Sequence, residues 1–187
     1  GNPTCGHVEE KIAALEGGVG AMLTSSGQAA TLTSVLTIAK AGDRILCSAS
    51  VYGGTFNLMA VTFKRMGIEV DFFEQSESDE EIAKRIYPNT KAIFGETIAN
   101  PALTVFDISR FAALAHKHEI PLIIDNTFAT PILCKPFDFG ADIVVHSTTK
   151  FLDGHAVQVG GVVVDSGKFD WAKSSKFPEF TTPDDSY

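Results

Sequence analysis

Lys150 closes the tetrapeptide Ser147-Thr148-Thr149-Lys150, which directly follows the apolar run Ile143-Val144-Val145 and His146. A lysine amine joins an aldehyde as a Schiff base when its pKa is lowered and neighbouring groups hold the rest of the carbonyl compound. Ser147 and Thr149 offer hydroxyls to a phosphate at one end of such a compound. Asp125, after Leu122-Ile123-Ile124, offers a carboxylate that keeps a ring nitrogen protonated at the other. Singly, each has a plainer reading. A long basic side chain near a strand end snorkels to water, and an acid there serves as a turn residue or cap.

Three further sites fit the same flat, phosphorylated ligand. Ser26-Gly27-Gln28 ends one apolar run and opens a helical one, so the first-turn N–H groups of Gly27 and Gln28 could hold a phosphate. The plain alternative is a strand-to-helix turn capped by Ser26. Tyr52 precedes Gly53-Gly54, whose missing side chains let the backbone approach a ring closely, and its own ring could stack there. It could equally be an ordinary core or surface aromatic. Asn100 precedes Pro101, which holds it extended and leaves its amide free for a phenolic oxygen.

Positioning these residues requires a regular scaffold. Strand-length apolar runs recur at Ala21 to Thr24, Arg44 to Ser48, Glu69 to Phe73, Lys91 to Glu96, Pro121 to Asp125, Asp142 to His146 and Gly161 to Asp165. Most are continuous rather than alternating, as strands covered on both faces must be. Helical periodicity separates them: Val8, Ile12 and Leu15; Ala30, Val35, Leu36 and Ala39; Ile82 and Ile86 behind a Ser78/Glu81 capping box; and Ile108, Phe111, Ala112 and Ala115 behind Asp107. The expectation is an α/β fold, a three-layer α/β/α arrangement around a mostly parallel seven-stranded sheet. Ligands then sit beyond the carboxyl ends of the strands, where Ser26 to Gln28, Tyr52, Asn100, Asp125 and Ser147 to Lys150 fall. After Phe169 the pattern loosens into an irregular tail.

The 187 residues carry 15 basic and 23 acidic side chains, a formal charge of −8. That balance argues against nucleic acid as a partner, because phosphate binding needs clustered Lys and Arg. No apolar run is long enough to span a membrane. The three cysteines, Cys5, Cys47 and Cys134, have no paired spacing and read as reduced thiols of a cytoplasmic protein. His116 and His118 do not share a helical face, so no metal site is expected. Gly18-Val19-Gly20 is a partial glycine fingerprint, but it precedes a strand and lacks its third glycine.

In combination, Ser26-Gly27, Tyr52-Gly53-Gly54-Thr55, Glu96-Thr97 with Asn100-Pro101, Asp125-Asn126-Thr127 and Ser147-x-Thr149-Lys150 resemble the Cys/Met-metabolism enzymes of fold-type I, which use pyridoxal 5′-phosphate. The resemblance covers the whole chain and implies that residues 1–187 are a cofactor-binding large domain. It implies that Lys150 carries the cofactor as a Schiff base and moves protons, and that Asp125 pairs with the pyridine nitrogen. Tyr52 would stack on the ring and help a leaving group depart, and Asn100 would contact the ring oxygen. The Gly27 and Gln28 amides, with Ser147 and Thr149, would hold the phosphate.

Ser25 to Ala30 and Phe151 to Trp171 are most similar to the O-acetylhomoserine sulfhydrylases. That implies γ-replacement of acetate by sulfide or a thiol, giving homocysteine or methionine, in a cytoplasmic homotetramer built as a dimer of dimers. Cystathionine γ-synthase and methionine or cystathionine γ-lyase would use the same residues. A nucleotide-binding α/β domain or an inactive relic are the readings outside that chemistry. Against the family pattern, Gln28 stands for a frequent Met, Ala156 for a frequent Gly, and Ile98 for a Pro whose loss loosens its loop. A Tyr-x-Arg segment and a C-terminal domain are expected to lie outside this chain. Gly1-Asn2-Pro3-Thr4 and Asp184-Asp185-Ser186-Tyr187 read as interior sequence, so a piece of a longer protein with little activity of its own is the expectation.

Overall fold

A computed structural model describes residues 2–183; Gly1 and the whole of the segment 184–187, on which the reading of an interrupted chain leans, lie outside the described residues. Seven strands form one sheet in the order β1-β7-β6-β5-β4-β2-β3. They are β1 (Gly20–Thr24), β2 (Arg44–Ser48), β3 (Glu69–Phe73), β4 (Thr90–Glu96), β5 (Leu122–Asp125), β6 (Ile143–Ser147) and β7 (Gly161–Asp165). Each bound lies within one residue of the expected one. β3, β2, β4, β5 and β6 run parallel, whereas β7 is antiparallel to both β6 and β1.

Helices cover both faces. On one, Ile12 and Ala13 of α1 (Pro3–Glu16), Ile82 of α4 (Asp79–Ala83) and Phe111 of α5 (Ile108–Lys117) pack on Ile93, Ile124 and Val144. On the other, Ala30 and Val35 of α2 (Gly27–Ile38) pack on Ile45, Ile123 and Val145. Residues 123 and 124, like 144 and 145, face opposite ways because side chains alternate along a strand. The caps act as their residue types dictate. Ser26 Oγ accepts from Ala29 N at 3.1 Å, Ser78 Oγ from Glu81 N at 3.3 Å, and Asp107 Oδ1 from Arg110 N at 3.1 Å. Gly17, at φ 81°, ends α1 in the left-handed conformation that glycine adopts without penalty.

Two stretches differ from expectation. After β2 the chain forms α3 (Gly53–Asn57) and continues as a π-helical stretch, Leu58–Phe63, that buries Leu58, Met59 and Phe63. Two glycines at its start and β-branched Val61 and Thr62 weaken the helical signal, and burial overrides them. The tail after Phe169 is irregular but packed. Phe169, Trp171, Phe177 and Phe180 form an aromatic cluster, with Phe177 fully buried beneath Lys91 Nζ at 5.2 Å from the ring centroid.

Candidate active site

The carboxyl ends of β4, β5 and β6 meet at one rim. Glu96 and Asp125 are register partners across β4 and β5. Asp125 Oδ1 accepts from both the backbone N–H (3.0 Å) and the hydroxyl (2.5 Å) of Thr127. Thr127 Oγ1 in turn accepts from Ser147 N at 2.8 Å. An unbroken chain of hydrogen bonds therefore runs from the strand that delivers Ser147 to the predicted acid. Lys150 follows one turn later, its N–H 3.3 Å from Ser147 O, with an exposed side chain.

The head of α2 lies against the same point. A Cβ on Gly27 would stand 2.5 Å from Ser147 Cβ and 2.8 Å from Ser147 Cα, so only glycine lets this helix start so close to β6. The Gly27 and Gln28 amides, with no intrahelical acceptor, belong to that first turn beside Ser147. Gln28 uses its side chain elsewhere, donating to Thr55 Oγ1 at 3.2 Å. Thr149 is engaged differently from Ser147. Its hydroxyl donates to Gly160 O (3.2 Å) and accepts from Gly160 N (3.0 Å), which ties the Lys150 segment to the start of β7. Its O–H would reach an anion only by exchanging that bond.

Tyr52 stands half exposed at the head of α3, with its ring folded over Gly54, where a Cβ would lie 2.5 Å from Cε1. Its backbone N–H donates to Glu96 Oε2 at 2.6 Å, so the turn carrying the aromatic ring is fastened to the β4 end beside Asp125. Asn100 is exposed on the loop after β4, joined to Pro101 by a cis peptide bond. That loop is well defined despite Ile98. An Ile98–Val105 bridge, with Ala99 N to Thr104 O at 3.0 Å and Phe106 N to Thr97 O at 3.1 Å, supplies the order expected of a proline. Ala156 adopts φ 55°, a left-handed conformation that suits the glycine frequent at this position.

Burial dominates the rim's electrostatics. It pushes the Asp125 carboxyl above the usual carboxylate range, while the two Thr127 bonds and the charge of His146 pull it back. Glu96 is pushed up to about 8, by burial first and by the neighbouring Asp125 charge second, with the Tyr52 N–H opposing. Sequence reasoning gave no role to Thr127, Glu96, Glu16 or His146. The first two were legible as polar residues at strand ends, but their partners lie 20 and 44 residues away.

Residues 1–186 match the model of the family described as Cys/Met metabolism PLP-dependent enzyme. The chain belongs to that family. Among curated relatives it is 50% identical over 190 residues to the O-acetyl-L-homoserine sulfhydrylase of Corynebacterium glutamicum, covering 100% of this chain and 44% of the relative. It is 47% identical over 188 residues to the homocysteine/cysteine synthase of Saccharomyces cerevisiae, covering 100% of this chain and 42% of the relative. In structure it superposes with a TM-score of 0.96 and 36% identity on a Campylobacter jejuni protein described as an O-acetylhomoserine (thiol)-lyase, covering 100% of this chain and 46% of that one. That crystal structure contains N′-pyridoxyl-lysine-5′-monophosphate. The chain thus spans less than half the length of the relatives it matches.

The family's cofactor, pyridoxal 5′-phosphate, suits this rim. The helix start at Gly27 abuts Ser147, which brings first-turn N–H groups and a serine to one point, residue types that suit a phosphate. Asp125, with Oδ1 committed to Thr127, retains Oδ2 on a partly exposed carboxyl for a ring N–H. Gly18 and Gly20 serve no nucleotide here. Gly18 packs so tightly under β7 that a Cβ would stand 2.6 Å from Asp165 O, and Gly20 opens β1 rather than following a strand.

Proposed function

We propose that this chain is the cofactor-binding part of an O-acetylhomoserine sulfhydrylase, which exchanges acetate for sulfide or a thiol to give homocysteine or methionine. The Ser147–Thr127–Asp125 hydrogen-bond chain carries this reading, because it couples the would-be phosphate strand to the acid that a pyridine nitrogen requires. The names of the relatives, at 47–50% identity, supply the substrate class. Bound pyridoxal phosphate supplies an electron sink for negative charge developed at a substrate carbon.

The residues of the chain divide the remaining work. Lys150 Nζ would hold the cofactor aldehyde and serve as the base that takes a proton from the substrate Cα and then Cβ and returns them. Asp125 Oδ2 holds the proton on the ring nitrogen. Tyr52 covers one face of the ring, fixed by its N–H bond to Glu96. Gly27, Gln28 and Ser147 hold the phosphate, Thr149 joins them on exchanging its Gly160 bond, and Asn100 contacts the ring oxygen. The protein acts in the cytoplasm as a homotetramer built from dimers.

Visible spectroscopy and borohydride reduction test the assignment. The purified protein with added pyridoxal phosphate is expected to turn yellow, and reduction is expected to leave a pyridoxyl group on the Lys150 peptide. In the full-length enzyme, Lys150→Ala should lose both the band and the formation of homocysteine from O-acetylhomoserine and sulfide. Retention of both would overturn the proposal.

A further inference from the structure

Beneath the rim, on the face of the sheet opposite Asp125, lies a buried polar cluster that the chemistry above does not use. Asp125 pairs in register with Val145, so His146, the next residue of β6, faces the other way, toward α1. There its Nε2 meets Glu16 Oε1 at the last turn of α1, and both side chains are 0% exposed. Glu16 Oε1 also accepts from Asn126 Nδ2 at 3.0 Å, and the same Nδ2 reaches Cys134 O at 2.9 Å. Asn126 Oδ1 accepts from Thr97 Oγ1 at 2.8 Å.

Each strand member of this cluster adjoins a residue of the site. Thr97 follows Glu96, Asn126 follows Asp125, and His146 precedes Ser147. The cluster thus bonds together the three strand ends that deliver those groups, and anchors them to a helix outside the sheet. Two of its atoms, Glu16 Oε2 and His146 Nδ1, have no protein partner among the described residues. An apolar pair of the same volume would avoid that desolvation penalty, so stability alone does not account for a buried polar pair with unpartnered atoms here. A site bracketing a ring between a lysine and an acid does need its elements held within a fraction of an ångström.

We propose that Glu16 and His146 are positioning residues that clamp the carboxyl ends of β4, β5 and β6 into one rigid rim, fixing Asp125 relative to Ser147 and Lys150. The proposal rests on the cofactor reading given above. His146 acts on Asp125 electrostatically as well. Burial pushes that carboxyl up, and the imidazole's charge is among the influences that draw it back toward the ionised form a ring N–H needs.

The test compares the unmodified protein with Glu16→Ala, Glu16→Gln and Thr97→Val. Titration with pyridoxal phosphate gives the affinity, visible circular dichroism the orientation of the bound chromophore, and far-ultraviolet dichroism the fold. Glu16→Ala and Thr97→Val are expected to bind at least tenfold more weakly, with reduced visible dichroism per bound cofactor and native far-ultraviolet spectra. Glu16→Gln, which keeps an amide oxygen for Asn126, should recover most of both. A lower melting temperature with unchanged affinity and visible dichroism would mean a purely structural pair and overturn the proposal. Should Glu16→Ala not fold, Thr97→Val, which removes one hydroxyl at nearly constant volume, decides alone. Absence of a pyridoxyl label on Lys150 in the unmodified protein would overturn the cofactor reading and this inference together. A label there with unaffected variants would overturn this inference only.

Discussion

Glu96 is the residue whose chemistry is least visible from its neighbours in sequence. It sits 5% exposed at the end of β4, beside Asp125, and holds the Tyr52 turn through one N–H bond. Burial and the Asp125 charge raise its pKa to about 8, from an ordinary 4.5. A raised carboxyl means that the folded state binds more protons than the unfolded state between those values. Stability therefore falls as pH rises from about 4.5 to 8 and levels off above, by a contribution on the order of a few kcal/mol. Asp125 and Asp142, also raised, slope the same way, so the difference between two proteins isolates Glu96. Glu96→Gln keeps an oxygen for Tyr52 N–H and cannot ionise. Urea unfolding at pH 5, 6.5 and 8 is expected to give a flatter profile for this variant, with its gain over the unmodified protein greatest at pH 8. Parallel profiles would place the titration elsewhere.

Among the elements, α2 bears most directly on the site, because its first residue determines how near a helix dipole comes to β6. The sequence marked this start correctly, through Ser26 as cap and the apolar residues that follow. It did not disclose the contact between Gly27 and Ser147, 120 residues on, which makes that start useful. Gly27→Ala places a methyl group against Ser147 backbone and Cβ, atoms that cannot swing aside. The helix head must then withdraw, weakening the amide and hydroxyl donors that converge there. Affinity for pyridoxal phosphate should drop by roughly tenfold or more, since about 1.4 kcal/mol of lost phosphate contact suffices, while far-ultraviolet dichroism stays native. Equilibrium titration measures it, and unchanged affinity would remove α2 from the phosphate site. By contrast α3 and its π-helical continuation were not legible. Their glycines and β-branched residues argue locally against a helix, and only packing on Ile45 and Ile68 makes one favourable.

At the scale of the molecule, several large apolar side chains stand exposed in the segments that follow the rim strands. Tyr52, Phe56, Ile132, Leu133, Phe151, Val157 and Val159, each between 41% and 79% exposed, all lie in segments that follow β2, β5 and β6. The homotetramer proposed above predicts that sedimentation equilibrium gives four chains per particle at micromolar concentration; a monomer would refute it. What the sequence determined by itself was local. Uninterrupted apolar runs defined seven strands, side-chain caps and Gly17 set helix limits, and the order of polar residues after the strands pointed to one rim. These signals arise from backbone sterics and burial acting over a few residues. Tertiary structure decided which polar groups meet. Tyr52 reaches Glu96 across 44 residues, Ser147 reaches Thr127 across 20, and His146 reaches Glu16 across 130. Strand order and register place them side by side, and those depend on how two helical layers fill the faces of a sheet, a property that no single segment encodes.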